Sequence, residues 1–237
     1  MLQTRGNKLT WLGHAAFRIT TPSGKVIIID PWIKSNPACP ESLKNIEKTD
    51  IMLITHGHFD HIADADDLGK KHKPQIVAMP ETCGWLESKG VKNVNGMNKG
   101  GTQKVGEIEV TMVNALHSSG IQDGDKMVYG GDPCGYIIHL PGGFKVYHAG
   151  DTAVFGDMKL IGELYSPDLA MLPIGDHYTM GPREAALAIR LLGVRDVIPM
   201  HFGTFPILTG TPDRLRELTQ DIAGLNVHTL KPGETLG

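Results

Sequence analysis

Six residues concentrate the chemistry of this chain. His56-Gly57-His58-Phe59-Asp60-His61 places three imidazoles and a carboxylate within six positions. Imidazole nitrogen suits zinc, iron and related ions, and carboxylate oxygen binds them as well. The alternation matters. In a loop leaving a strand, His56 and His58 face one way while Asp60 and His61 face another, so one short segment serves two adjacent metals. A single histidine beside a strand is usually a satisfied polar residue, but three with an aspartate at this density are not. A surface metal-scavenging tract fits poorly too, because the apolar run Ile51-Met52-Leu53-Ile54 leads a buried strand straight into the cluster.

Strands must deliver that cluster, and the apolar patterning supplies them. Leu9–Leu12 and Ala15–Thr20 read as strands flanking Gly13-His14, with a turn at Thr21-Pro22-Ser23-Gly24. Val26–Ile29 is wholly apolar and β-branched, as in a strand buried on both faces, and Asp30-Pro31 ends it. Residues 61–71 read as a helix, Gln75–Met79 as a strand and Pro80–Ser88 as a helix with Pro at its start. Thr102–Val113 alternates as a hairpin about Gly106. Residues 117–134 are rich in Gly, Ser and Asp and read as a long functional loop. The second half adds paired strands at Gly135–Leu140 and Phe144–Tyr147, then strands at Leu169–Leu172, Asp196–Pro199 and Leu225–Leu230. Its helices are Asp157–Tyr165, Pro182–Leu192 and Asp213–Ile222. Strand runs with interspersed helices and no linker predict one α/β domain over residues 1–237, with two packed sheets and helices outside.

Bulk properties narrow the function classes. A net charge of −3 gives no nucleic-acid surface, and Lys70-Lys71-His72-Lys73 reads as a solvated helix end. No run approaches the roughly 20 apolar residues of a membrane span, and the N-terminus shows no signal-peptide core. Three widely spaced cysteines, Cys39, Cys83 and Cys134, argue against a disulfide framework and for a reducing cytoplasm. The expected partner is a small-molecule substrate. The oligomeric state is not readable.

Thr55-His56-Gly57-His58-Phe59-Asp60-His61 resembles the signature of the metallo-β-lactamase superfamily. The rest of the chain matches in order: His117 in Ala-Leu-His-Ser, Asp151 in His-Ala-Gly-Asp-Thr, and His201 in Pro-Met-His-Phe-Gly-Thr. The resemblance implies a four-layer αββα sandwich of two mixed sheets flanked by helices. All the matched residues lie just beyond the C-terminal ends of expected strands, where a rigid scaffold shares one rim with variable loops. By carry-over, His56, His58 and His117 hold one metal, Asp60, His61 and His201 a second, and Asp151 bridges them. Asp60 and His201 are also assigned a catalytic role. Two ions about 3.5–4 Å apart hold a hydroxide between them, because a metal lowers the pKa of its water from about 15.7 to about 7. Zinc is the first candidate, with manganese, iron and nickel compatible. The implied reaction is hydrolysis of a small ester, lactone or phosphoester.

Further residues take supporting roles by the same resemblance. Asp30 matches an acid that braces the ligand loop. His14, in Trp-Leu-Gly-His-Ala-Ala-Phe, and the run Pro173–Pro182 resemble the branch containing L-ascorbate-6-phosphate lactonase and many uncharacterised metal-dependent hydrolases. That tilts the substrate toward sugar lactones or related small molecules. His14 then lines the pocket, or is a hairpin histidine bonded to backbone. Asp176 and His177 lie on the same rim as pocket residues or loop caps, and His148 is a supporting residue or a strand end. His72, His139 and His228 have no constellation around them. Flavodiiron oxidoreductases carry Glu where His58 stands, and no basic arm of the transfer-RNA nucleases is present. Two alternatives stay open: a mononuclear-iron sulfur dioxygenase and a non-catalytic metal-binding module. Substrate choice falls to the loops at 117–134, 173–182 and 201–212.

Overall fold

The computed structural model describes residues 2–237. Two seven-stranded sheets carry the fold. The first contains β1 (Lys8–Gly13), β2 (Ala16–Thr20), β3 (Val26–Ile29), β4 (Ile51–Leu53), β5 (Gln75–Ala78) and β6 (Val94–Gly96). The second contains β7 (Thr102–Val105), β8 (Ile108–Asn114), β11 (Cys134–Leu140), β12 (Phe144–His148), β13 (Leu169–Pro173), β14 (Asp196–Met200) and β15 (Asn226–Val227). Between β8 and β11 a separate hairpin forms from β9 (Gly120–Asp123) and β10 (Lys126–Tyr129). The last strand, β16 (Thr235–Leu236), returns to the first sheet beside β1. Sheet order is β16-β1-β2-β3-β4-β5-β6 and β15-β14-β13-β12-β11-β8-β7. Each sheet is mixed: β3 to β6 and β12 to β15 pair parallel, the others antiparallel.

The apolar runs sort onto two faces with the period-2 alternation of a strand. Ile27 and Ile29 join Leu53 and Val77 in a central core, which also takes Tyr136, Ile138, Val146, Met171 and Ile198 from the second sheet. The alternate residues turn outward. Ile28, Met52 and Ile76 pack under α1 (Phe59–Ile62), α2 (Ala65–His72) and α3 (Pro80–Ser88). Ile137, Tyr147, Ala170 and Val197 pack under α4 (Met158–Tyr165), α5 (Pro182–Leu192) and α6 (Pro212–Leu218). Both sheets are therefore buried on both faces, giving four layers, αββα. Each such buried Ile or Val contributes roughly 1.5–3 kcal/mol.

Some elements differ from the sequence reading for local reasons. The helix expected over 61–71 is two helices, because Asp64 leaves the helical path. Its carboxylate accepts the Ile33 and Lys34 N–H groups at 2.6 and 2.9 Å. The segment 117–134 is not all loop: the hairpin turns at Gly124-Asp125, with Gly124 at φ 59°. The strand expected over 225–230 pairs only at Asn226–Val227 before the chain crosses toward β1. β6 and β16 escape the sequence reading because neither carries an apolar run.

Candidate metal centre

The cluster begins where the parallel strand β4 ends. His56 follows it, His58 caps α1, and Asp60 and His61 lie within that single turn of helix. His117 follows β8, Asp151 follows β12, and His201 directly follows β14. These strand ends share one rim. Among the described residues nine non-glycine residues have positive φ, and five of them, His14, Asp30, Asp176, His177 and His201, are residues the sequence singled out. Strained backbone of this kind persists where surrounding structure holds it.

Two groups form side by side. His56, His58 and His117 present ring nitrogens that lie within 4.8 Å of one another. His56 Nε2 is 3.0 Å from His58 Nδ1, which is 3.3 Å from His117 Nε2. His14, Asp60, His61 and His201 form the second group. Asp151 stands between them. Its Oδ2 is 3.9 Å from His56 Nε2, 3.6 Å from His117 Nε2, 3.2 Å from His61 Nε2 and 3.0 Å from His201 Nε2.

Supporting bonds fix which nitrogen faces inward. Buried Asp30 accepts the Thr55 N–H (2.8 Å) on Oδ1, and the Thr55 hydroxyl (2.7 Å) and His61 Nδ1–H (2.8 Å) on Oδ2. The Thr55 oxygen in turn accepts from His56 Nδ1 at 3.0 Å. One carboxylate thus orients a histidine in each group and turns both Nε2 atoms inward. His148 does comparable work on the other sheet. It donates Nε2–H to the Ala15 carbonyl and accepts the Gly150 N–H, tying the Asp151 loop to the β1–β2 turn.

His14 sits buried in the β1–β2 hairpin, and its ring nitrogens meet side chains rather than backbone. Its Nε2 is 2.9 Å from Asp60 Oδ2 and its Nδ1 is 3.0 Å from the Thr204 hydroxyl. Burial and then the charge of His201 push its pKa down to about 4. Asp60 sits at about 2: burial raises it, but the His14 hydrogen bond and the charge of His61 outweigh that. The carboxylate therefore accepts, neutral His14 donates Nε2–H, and Thr204 donates to Nδ1. Asp176 and His177 stand exposed on the loop after β13. The Asp176 carboxylate accepts the His177 N–H at 2.7 Å, and the His177 ring lies edge-on to Tyr178. Neither joins the metal-competent groups. His72 and His228 make structural contacts, to the Ile46 carbonyl and to Asp196. Thr55, Thr204 and Thr152 escaped the sequence reading. Their one signal is a hydroxyl residue next to, or three positions from, a candidate ligand.

The protonation pattern divides the two groups. Burial holds His56, His58 and His117 below the ordinary imidazole value, so all three keep a lone pair at neutral pH. For His61 burial also lowers the pKa, but the Asp151 and Asp30 carboxylates outweigh it and raise it well above that value. For Asp151 burial raises the pKa, but His201 and His61 hold it well below the carboxylate range.

Divalent ions fit this donor set. His61 Nε2, His201 Nε2 and Asp151 Oδ1 are buried with no hydrogen-bond partner, a costly arrangement unless another species satisfies them. His201 Nε2 and Asp151 Oδ2 approach to 3.0 Å off the line that a hydrogen bond needs. Imidazole nitrogens and ionised carboxylates converging on common points are what a borderline cation requires.

An αββα sandwich with such a rim defines a protein of the metallo-β-lactamase class. Residues 25–202 match the sequence profile of the beta-lactamase superfamily domain. A UPF0173 metal-dependent hydrolase of Koribacter versatilis is 59% identical over 99% of both chains. Another, from Rubrobacter xylanophilus, is 53% identical over 98% of this chain and 97% of its own. The structure of Igni18, a metallo hydrolase from Ignicoccus hospitalis, superposes with a TM-score of 0.84 at 38% identity, over 97% of both chains. The chain belongs to the beta-lactamase superfamily and, within it, to the UPF0173 metal-dependent hydrolases.

Proposed function

We propose that this chain is a single catalytic domain that holds two divalent ions and hydrolyses a small ester, lactone or phosphoester. His56, His58 and His117 would hold the first ion and Asp60, His61 and His201 the second, with Asp151 placed between the two groups. The observation that carries this reading is the set of orphaned buried atoms on His61, His201 and Asp151, which face the same space from three separate strand ends. Zinc is the first candidate, since imidazole and carboxylate are its ordinary ligands. Three buried free cysteines fit a reducing cytoplasm.

When bound, two divalent ions supply a water acidic enough to attack near neutral pH and polarise the scissile carbonyl or phosphoryl oxygen. The chain's own residues do the rest. Asp30 and Thr55 lock His56 and His61 with Nε2 inward. His14 holds one oxygen of Asp60 and thereby aims the other. The side chains of His14, Asp30, His56, His61 and Asp151 are nearly or fully excluded from solvent, so bulk water reaches the centre only from the His58, Asp60 and His117 side.

The test pairs chemistry with metal content. Purified protein should hydrolyse at least one substrate of an ester, lactone and phosphoester panel and lose that activity on chelation. Asp151→Ala should remove both metal and activity. Full activity in metal-free protein, or metal binding with no turnover across the panel, would contradict the reading.

A further inference from the structure

We propose that the mouth of this centre receives a neutral substrate through an apolar acyl or aryl group, not a phosphorylated or otherwise anionic one. This rests on the hydrolase reading above and narrows its substrate class.

Apolar side chains stand open at the ligand positions themselves. Among the described residues nine large hydrophobic residues are exposed, and four belong to the ligand-bearing loops: Phe59 (57%), Leu116 (49%), Tyr178 (57%) and Ile207 (44%). Phe59 lies between His58 and Asp60, and Leu116 directly precedes His117. Exposed apolar surface gathered around a site marks what the site binds. The second-ion end carries a built aromatic wall. Trp32 lies edge-on to Phe59 at 5.7 Å and stacks on Phe205 at 5.8 Å, and Phe205 is 5.7 Å from the His14 ring.

The other flank is stitched together around Thr152, next to Asp151. The Leu116 N–H donates to the Thr152 hydroxyl at 3.0 Å, Ala153 N–H to the Leu116 carbonyl at 3.0 Å, and Met180 N–H to the Thr152 carbonyl at 3.1 Å. Leu116 and the Met180 end of the turn that carries Tyr178 are thus fixed to the Asp151 loop. Consecutive left-handed residues, Asp176 at φ 67° and His177 at φ 59°, shape the turn that presents Tyr178. Two strained non-glycine residues in a row persist only where surrounding structure holds them.

Charge points the same way. The loops at 55–62, 149–158, 174–182 and 201–212 contain no Lys or Arg; the 117–134 segment carries Lys126 on its exposed hairpin, and Lys99, which reaches Asn114 at the end of β8, is engaged by Asp132 at 3.6 Å. Recognition of phosphate or carboxylate groups relies on such cations, above all on the arginine fork. Lys34 is engaged by Asp67 at 2.6 Å. The first cation beyond the 174–182 loop is Arg183, exposed at the start of α5 beside Glu184. Beyond the ions, the ligand-bearing loops offer an organic anion no cation of their own but Lys126, while they offer an apolar group two walls.

Two measurements on metal-loaded protein test this. The first is the affinity of a series of linear alkyl hydroxamates, from acetohydroxamate to hexanohydroxamate, which anchor on metal and need no turnover. Affinity should rise at least tenfold across the series, and Leu116→Ser and Ile207→Ser should flatten that rise while metal content stays at the wild-type value. The second compares kcat/KM for 4-nitrophenyl hexanoate with that for 4-nitrophenyl phosphate; the ester should win by at least tenfold. A flat hydroxamate series, or a phosphate ester that wins and loses its advantage in Arg183→Ala, would overturn the proposal. So would a dimer that Leu116→Ser dissociates together with a flat series, since the rim would then face a second copy. A steep series with no turnover of any ester, lactone or phosphoester would leave the apolar rim standing and remove the hydrolase reading instead.

Discussion

Asp30→Asn changes one atom at the residue that braces both halves of the metal centre. The buried carboxylate accepts three hydrogen bonds, from Thr55 N–H, Thr55 Oγ1 and His61 Nδ1. Asparagine keeps an oxygen for the Thr55 N–H but turns an NH2 toward the other two. The Thr55 hydroxyl can rotate to accept. His61 Nδ1–H cannot donate to an NH2, so the ring loses the acceptor that keeps its proton on Nδ1 and its Nε2 free for an ion when metal displaces the second proton. Losing one buried hydrogen bond to a charged group costs about 2 kcal/mol, and for a chain of this size Tm should fall by roughly 4–8 °C. Loss of a ligand's outer hydrogen-bond partner should also weaken metal binding about 10–100-fold. The weakening should fall on the ion held by His61, leaving the three-histidine group closer to wild type. Differential scanning calorimetry of metal-free protein reads the first number, and competitive chelator titration the second. An Asp30→Asn variant that binds both ions with wild-type affinity would refute the role given to Asp30.

Three further outcomes follow from particular contacts. Metal uptake near neutral pH should release protons, because the Asp151 and Asp30 carboxylates raise His61 well above the ordinary imidazole value in the metal-free protein and an ion must displace that proton. Affinity should therefore rise with pH through this range; calorimetry in buffers of different ionisation enthalpy counts the protons, and a count of zero would contradict the assignment. Gly175→Ala drives a Cβ into the His201 carbonyl oxygen and to within 3.3 Å of Leu208. It should cost about 1–3 kcal/mol, as overpacking does, and lower metal content with it; wild-type melting and metal occupancy would show that the close approach is dispensable. Burial pushes Cys39 and Cys83 up to about 11 and Cys134 up to about 12. A thiol reagent at pH 8 should label none of them in native protein and all three after denaturation, and fast labelling of the native chain would show that these interiors open.

The sequence made the strand ends and their chemistry readable because both rest on local pattern. Val26–Ile29 and Ile51–Leu53 are wholly apolar, and each is buried on two faces. His56 to His61 needs only spacing to declare itself. What stayed hidden depends on contacts far apart in the chain. Resemblance alone places His14 at the pocket, and its partners Asp60 and Thr204, 46 and 190 positions away, leave no signal in Gly-His-Ala. Asp64 looks like an ordinary helical residue, yet it splits the expected helix by capping the loop at Ile33 and Lys34. β16 is two residues long and joins the opposite sheet from β15, a pairing with no periodic signal. The apolar rim was invisible for a different reason. Phe59, Leu116 and Ile207 look like core residues until the fold shows them exposed.

The central claim is a two-ion hydrolase, and stepwise reconstitution tests it most directly. Chelator-stripped protein is titrated with zinc or manganese while hydrolysis of a responsive ester or lactone is followed on the same sample. Activity should be absent at the start, rise with added metal and reach its plateau at two equivalents per chain. Full activity in the stripped protein, or a plateau at one equivalent with no second ion bound, would contradict the account.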